Sequence, residues 1–129
     1  MYILDTNFLV DYLLGKPHFI EKYKELAEKE LHLSVITCAE ILSGTEKEDI
    51  GVVNNFLDSF IIIPVSDGLA RKAGITRKKL IKDGYKKSIP DILIGQTAIE
   101  YNLILVTGNS KDFPQLEKRK LLMPFPKQT

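Results

Sequence analysis

The chain has 129 residues, 44% apolar and 27% charged, with a formal net charge of +1. That length buries a core without disulfide or structural-metal staples, and the composition is that of one globular domain spanning residues 1–129. A single cysteine, Cys38, excludes a disulfide framework and a Cys/His zinc site, which fits a reducing cytoplasm. No apolar run approaches the roughly 20 residues of a membrane span, and no secretory leader opens the chain.

Residues 2–4 read as a short buried strand, and 8–14 as an apolar helix closed by Gly15 and Pro17. Phe19, Ile20, Tyr23, Leu26 and Ala27 recur at helical spacing with Lys and Glu between them, an amphipathic helix. Residues 31–36 look like a strand because of Val35 and Ile36, running into a helix from about Thr37 to Gly44. Val52, Val53, Phe56 and Leu57 mark another helix, and 60–65 is the most β-rich run of all. Ser66 and Asp67 start a basic helix that Gly84 ends. Pro90 and Asp91 open a helix to about Tyr101, followed by a last buried strand over 103–106. Phe113 and Pro114 fall in a short helical or turn segment, and 121–123 adds an edge strand before a Pro-rich tail. Strands that are apolar throughout and alternate with helices imply a parallel sheet covered on both faces.

Net neutrality conceals local segregation of charge. Arg71, Lys72, Arg77, Lys78, Lys79, Lys82, Lys86 and Lys87 face a single acid, Asp83. Leu69, Ala73 and Leu80 share one face of that helix, with Arg71, Lys72, Lys78, Lys79 and Lys82 broadly opposite. The face is either simply solvated or attracts phosphate.

In such a sheet the loops at the carboxyl ends of the strands form the usual site. Asp5 follows the first strand, Glu40 lies in the first turn after the second, Asp91 opens the helix after the basic one, and Asn109 with Asp112 follow the last strand. Each acid also reads as a cap. Thr37-Cys38-Ala39-Glu40 and Ser88-Ile89-Pro90-Asp91 have capping-box form, and Asn109 precedes Asp112 by three residues. Against that stands coincidence of place, since all of them fall at one sheet edge. Carboxylates gathered there raise one another's pKa, and a hard divalent cation such as magnesium or manganese resolves the conflict. A water activated there would attack a phosphodiester in line. His18 and His32 read as structural or surface residues, and Tyr12, Phe19 and Tyr23 as core aromatics.

Asp5-Thr6-Asn7 after an N-terminal strand, the lone Glu40, Asp91 in PDILIGQTA, and Thr107-Gly108-Asn109 with Asp112-Phe113 together resemble the PIN domain in its small VapC-like form. The resemblance spans essentially the whole chain. It implies an α/β/α sandwich around a mainly parallel sheet and a magnesium- or manganese-dependent ribonuclease that hydrolyses RNA. It also implies the toxin role of a type II toxin-antitoxin pair, inhibition by a cognate antitoxin, and homodimerisation. Asp5, Glu40 and Asp91 match the family's first three acidic positions, with Thr6 or Thr107 and Asn7 orienting them. The fourth position departs: Asn109 stands where many relatives carry aspartate, so either Asp112 or Asn109 completes the set. RNA would lie along Arg71, Lys78, Lys79 and Lys82.

Asn109 also motivates the alternative of a non-catalytic PIN-like module that binds RNA or protein. Phosphate-monoester chemistry of the haloacid-dehalogenase type needs a second aspartate two residues after the first, where this chain has Asn7. The Gly-rich phosphate loop of nucleotide hydrolases is absent, and so is an aromatic strand pair for base reading.

Overall fold

The computed structural model describes residues 1–126. Its strands β1 (Tyr2–Leu4), β2 (Leu31–Ser34), β3 (Ile61–Ile63), β4 (Ile104–Thr107) and β5 (Leu122–Pro124) form one sheet in the order β3-β2-β1-β4-β5, with every pairing parallel. The helices are α1 (Thr6–Leu13), α2 (Pro17–Leu26), α3 (Val35–Ser43), α4 (Ile50–Leu57), α5 (Asp67–Lys82), α6 (Ile89–Tyr101) and the single turn α7 (Pro114–Glu117). The chain runs outward from β1 through β2 to β3, then returns to the other side of β1 as β4. The order therefore reverses between β1 and β4, and a crevice opens at their carboxyl ends.

Side-chain alternation along the central strands feeds two cores, which is why residues 2–4 and 104–106 are apolar without a break. Leu4, Leu33 and Val106 join Phe8, Leu9, Phe19 and Leu57 on one face. Ile3, Ile63 and Leu105 join Ile94, Ala98, Phe113 and Leu116 on the other. Ala73, Leu80 and Ile92 seal α5 against α6. The three-layer α/β/α arrangement expected from the sequence is the one observed.

The aromatics behave as core residues. Phe19 is buried, while the half-buried rings of Tyr12 and Tyr23 stack at 4.2 Å between centroids, with Phe56 5.6 Å from Tyr12. From the Pro-rich tail, Phe125 sets its ring edge-on to Phe8 and Phe19 at 5.7 and 5.0 Å; residues 127–129 lie outside the described chain. His18 is exposed, and the buried His32 holds its Nδ1 3.2 Å from the Tyr2 carbonyl oxygen. Among the described residues no helix is long and apolar enough to cross a membrane.

Gly95 lets α6 settle close to the segment after β4. A Cβ there would lie 2.8 Å from Gln115 Nε2 and 3.3 Å from a Phe113 ring carbon. Gly84 has φ +96°, the left-handed turn that stops α5 as the sequence foretells.

Three local expectations need correction. β2 stops at Ser34, and Val35 and Ile36 begin α3 although both are β-branched, because Ser34 Oγ accepts the Ile36 N–H at 3.0 Å and caps the helix. The expected capping box at Thr37 therefore does not form: Thr37 lies inside the first turn, fully buried, and Glu40 falls in the second turn. β3 covers only 61–63 because Pro64 has no N–H to continue the ladder.

Removing the Ser34 hydroxyl should cost about 1 kcal/mol, the usual worth of an N-cap. Urea unfolding of Ser34→Ala measures it, and an unchanged midpoint would show that Ser34 is not the cap.

Candidate active site

Asp5 is the residue after β1, at the point where the strand order reverses. It is only 4% exposed, and both of its carboxylate oxygens are engaged. Oδ1 accepts the Thr6 N–H at 2.9 Å, so Asp5 caps α1. Oδ2 accepts the Thr107 hydroxyl at 2.6 Å from the end of β4. The backbone repeats the link, with the Asp5 N–H donating to the Val106 carbonyl at 3.0 Å. The cap and ligand readings left open by the sequence are thus not exclusive. Asp5 serves as a cap while its carboxylate stays fixed at the crevice.

Thr107 also anchors the fourth acidic segment. Its hydroxyl oxygen accepts the Asn109 N–H at 3.0 Å, and the Asp112 N–H donates to the Asn109 carbonyl at 2.9 Å, closing a 3₁₀ turn over Ser110–Asp112. The Asn109 side chain makes no capping bond, contrary to the amide cap expected there. Its main chain does that work.

Glu40 is exposed and joined to the same centre through Thr6, whose hydroxyl donates to Glu40 Oε1 at 2.7 Å. Thr6 Oγ1 also lies 3.2 Å from Thr37 Oγ1. A hydroxyl has one proton, so with Thr6 donating to Glu40 the buried Thr37 donates to Thr6. Thr6 and Thr107 therefore both bond to acids, where the sequence left the choice between them open, whereas Asn7 is simply exposed on α1. Asp91 sits half-buried at the start of α6, where Ser88 Oγ accepts its N–H at 3.3 Å and caps the helix as foreseen.

Burial pushes the Asp5 pKa up. The Thr107 and Thr6 hydrogen bonds oppose this, and the charges of Asp91 and then Glu40 add to it. Asp5, Glu40 and Asp91 thus form the inner set, joined electrostatically. Asp112 acts on a different group, Lys87.

Lys87 is the residue that sequence reasoning misplaced. Grouped with the solvated charges of the basic segment, it is instead 6% exposed, and its Nζ is enclosed without a hydrogen-bond partner among the described residues. Burial lowers its pKa, while Asp112 and then Asp91 work the other way. Periodicity cannot tell Lys86 from Lys87 in a loop; only the fold turns one outward and the other in.

Elsewhere on the basic segment, Arg71 pairs with Asp67 at 2.9 Å and Lys72 with Glu100 at 3.3 Å. Arg77 Nε donates to the Lys87 carbonyl at 2.9 Å. Lys78, Lys79 and Lys82 are exposed and have no ion-pair partner among the described residues. A cleft of about 480 Å³ between α5, α6 and α7 includes Lys79, Lys118 and Arg119 but none of the four acids.

Among the described residues no three acidic, histidine or cysteine side chains stand close enough to close on one ion. The donors are all oxygen, which selects hard cations. Magnesium is commonly held by one or two carboxylates and fills the rest of its shell with water, a demand that Asp5 with Asp91 or Glu40 fits.

The PIN domain model matches residues 2–119. Ribonuclease VapC2 of Haemophilus influenzae is 30% identical over 121 residues, which cover 89% of this chain and 91% of that protein. A toxin-antitoxin complex from Klebsiella pneumoniae contains a chain that superposes with a TM-score of 0.80 at 26% identity, over 100% of both chains. VapBC2 from Rickettsia felis, bound to a DNA fragment from its promoter, gives 0.79 at 27% identity, over 96% of this chain and 98% of that one. This chain belongs to the PIN domain family, in the company of the VapC ribonucleases.

Proposed function

We propose that this chain is a divalent-metal-dependent endoribonuclease and the toxin of a toxin-antitoxin pair. The observation that carries the reading is the Asp5 carboxylate fixed by Thr107 at the strand-order reversal, with the charges of Asp91 and Glu40 bearing on it. The relatives' names, ribonuclease and toxin-antitoxin complex, support the same activity and role.

Asp5, Asp91 and Glu40 would hold magnesium or manganese, with Asp112 at the outer side and Asn109 setting the turn. A bound divalent ion supplies Lewis-acid charge at the scissile phosphate and makes a water more acidic. The chain's own contribution is placement. Thr107 and the Thr6 N–H fix the Asp5 oxygens, Thr6 holds Glu40, and the N-termini of α1 and α6 favour the substrate's phosphate groups. In the reaction a water oxygen would bond to phosphorus as the bond to the leaving ribose oxygen breaks, with Glu40, the most exposed of the three inner acids, accepting the water's proton and the leaving oxygen taking one from solvent. Lys78, Lys79 and Lys82, with Arg71 beside them, hold the RNA backbone rather than its bases. The cognate antitoxin is the protein partner, and two copies of this chain form the working dimer.

Asp5→Asn keeps a good N-cap, and Glu40→Gln and Asp91→Asn keep size and polarity. Each should retain the fold and lose at least about a hundredfold in cleavage of single-stranded or structured RNA with manganese, roughly 2.7 kcal/mol of barrier. Full activity in all three would show that these acids do not carry the cleavage, whereas a parent that binds RNA without cleaving it would leave the non-catalytic module. The same Asp5→Asn protein tests the electrostatics. Because the folded state raises the Asp5 pKa, protonated Asp5 favours folding at low pH, and that benefit is lost as pH rises through the folded value. Free of metal, the variant should melt above the parent at pH 7, with the gap closing below about pH 4. A gap that widens on acidification would contradict this.

Neutralising Lys78, Lys79 and Lys82 together to Gln should weaken RNA binding and flatten the salt dependence by up to about 2 in log-log slope. Filter binding across a salt series reads both, and an unchanged slope would remove this face from the RNA path.

A further inference from the structure

The loop between α5 and α6 offers two adjacent lysines, and the fold treats them oppositely. Tyr85, Lys86 and Ser88 are exposed, while Lys87 turns inward until its ammonium is enclosed. Two contacts hold it there. Arg77 Nε donates to the Lys87 carbonyl at 2.9 Å, and Lys87 Nζ stands 5.2 Å from the centroid of the Phe113 ring. The ring's negative face suits a cation, but the three N–H donors have no acceptor among the described residues. An apolar side chain would fill the same place without that penalty, so packing does not explain a lysine. The charges that bear on it do: Asp112 first, then Asp91.

Resting on the metal-site reading above, we propose that Lys87 stands in for a second cation. Its ammonium, enclosed without a partner beside Phe113, the neighbour of Asp112, offsets part of the acids' charge, and in the absence of RNA it limits the rim to one divalent ion. Charge counting gives the reason. Asp5, Glu40, Asp91 and Asp112 bring four negative charges, and Lys87 leaves three uncompensated. One divalent ion then leaves a single negative charge, whereas two overshoot to positive. With Lys87 neutral, two ions balance the four carboxylates. With Lys87 charged, the phosphate of an arriving RNA adds one negative charge, and only then does a second ion bring the sum to zero.

The test is manganese binding to the metal-stripped full chain without RNA, by calorimetry and by the electron paramagnetic resonance signal of free manganese. The parent should bind one equivalent. Lys87→Met should bind its first ion about fivefold tighter or more, since a neighbouring like charge is gone, and should take up a second equivalent. Lys87→Arg should behave as the parent, and Lys87→Met with Asp112→Asn should return to one equivalent. Lys87→Gln keeps a polar side chain and gives the same result as methionine if the latter folds poorly.

A purely structural lysine would move the melting temperature of these variants but not their stoichiometry. Two equivalents in the parent, or one equivalent at parental affinity in folded Lys87→Met or Lys87→Gln, overturns the role of Lys87 alone. No manganese binding by the parent overturns the metal-site reading as well.

Discussion

A short hydrogen bond from the Thr107 hydroxyl to the Asp5 carboxylate joins the ends of β1 and β4. The candidate site is arranged around it. The two strands are neighbours only because the chain builds one half of the sheet outward and then returns, so a carboxylate from residue 5 and a hydroxyl from residue 107 meet across the reversal. The same threonine accepts the Asn109 N–H and roots the turn that carries Asp112, while Thr6, one residue beyond Asp5, reaches Glu40. A buried carboxylate beside two others is costly, and burial with their charges raises its pKa. The protein tolerates that cost at the place where a cation would remove it.

The fold was largely legible because its signals are additive along short segments. The strands near residues 2–4 and 103–106 are apolar without alternation, which only a sheet covered on both faces permits. Gly84 and Ser88 punctuate α5 and α6 where turn and cap chemistry require. Misreadings occurred where two local rules competed. Val35 and Ile36 favour a strand by propensity, but Ser34 offers a cap, and the sheet has no partner to extend the ladder past residue 34. Thr37 had the form of a capping residue, yet its hydroxyl is needed inside, next to Thr6.

The acidic set was legible for a different reason. Carboxyl ends of parallel strands share one edge, so order along the chain predicts proximity in space. That logic places Asp5, Asp91 and Glu40 in electrostatic reach of one another, though not in a closed ring. It says nothing about a loop lysine. Lys87 has the composition of the solvated helix face and the environment of the acidic site, a difference created by Arg77, Phe113 and the close approach that Gly95 allows. Asn109 ties the turn to Thr107 by its main chain, and the charge of Asp112 bears on Lys87.

The central claim is that Asp5 is the inner ligand of a divalent metal site. Crystals of the full chain soaked in manganese, with anomalous diffraction recorded at the manganese edge, test it most directly. A peak at the Asp5 carboxylate, shared with Asp91 or Glu40 and absent from Asp5→Asn crystals, is the predicted result. Manganese bound only away from Asp5, or no peak at saturating concentration, would contradict it.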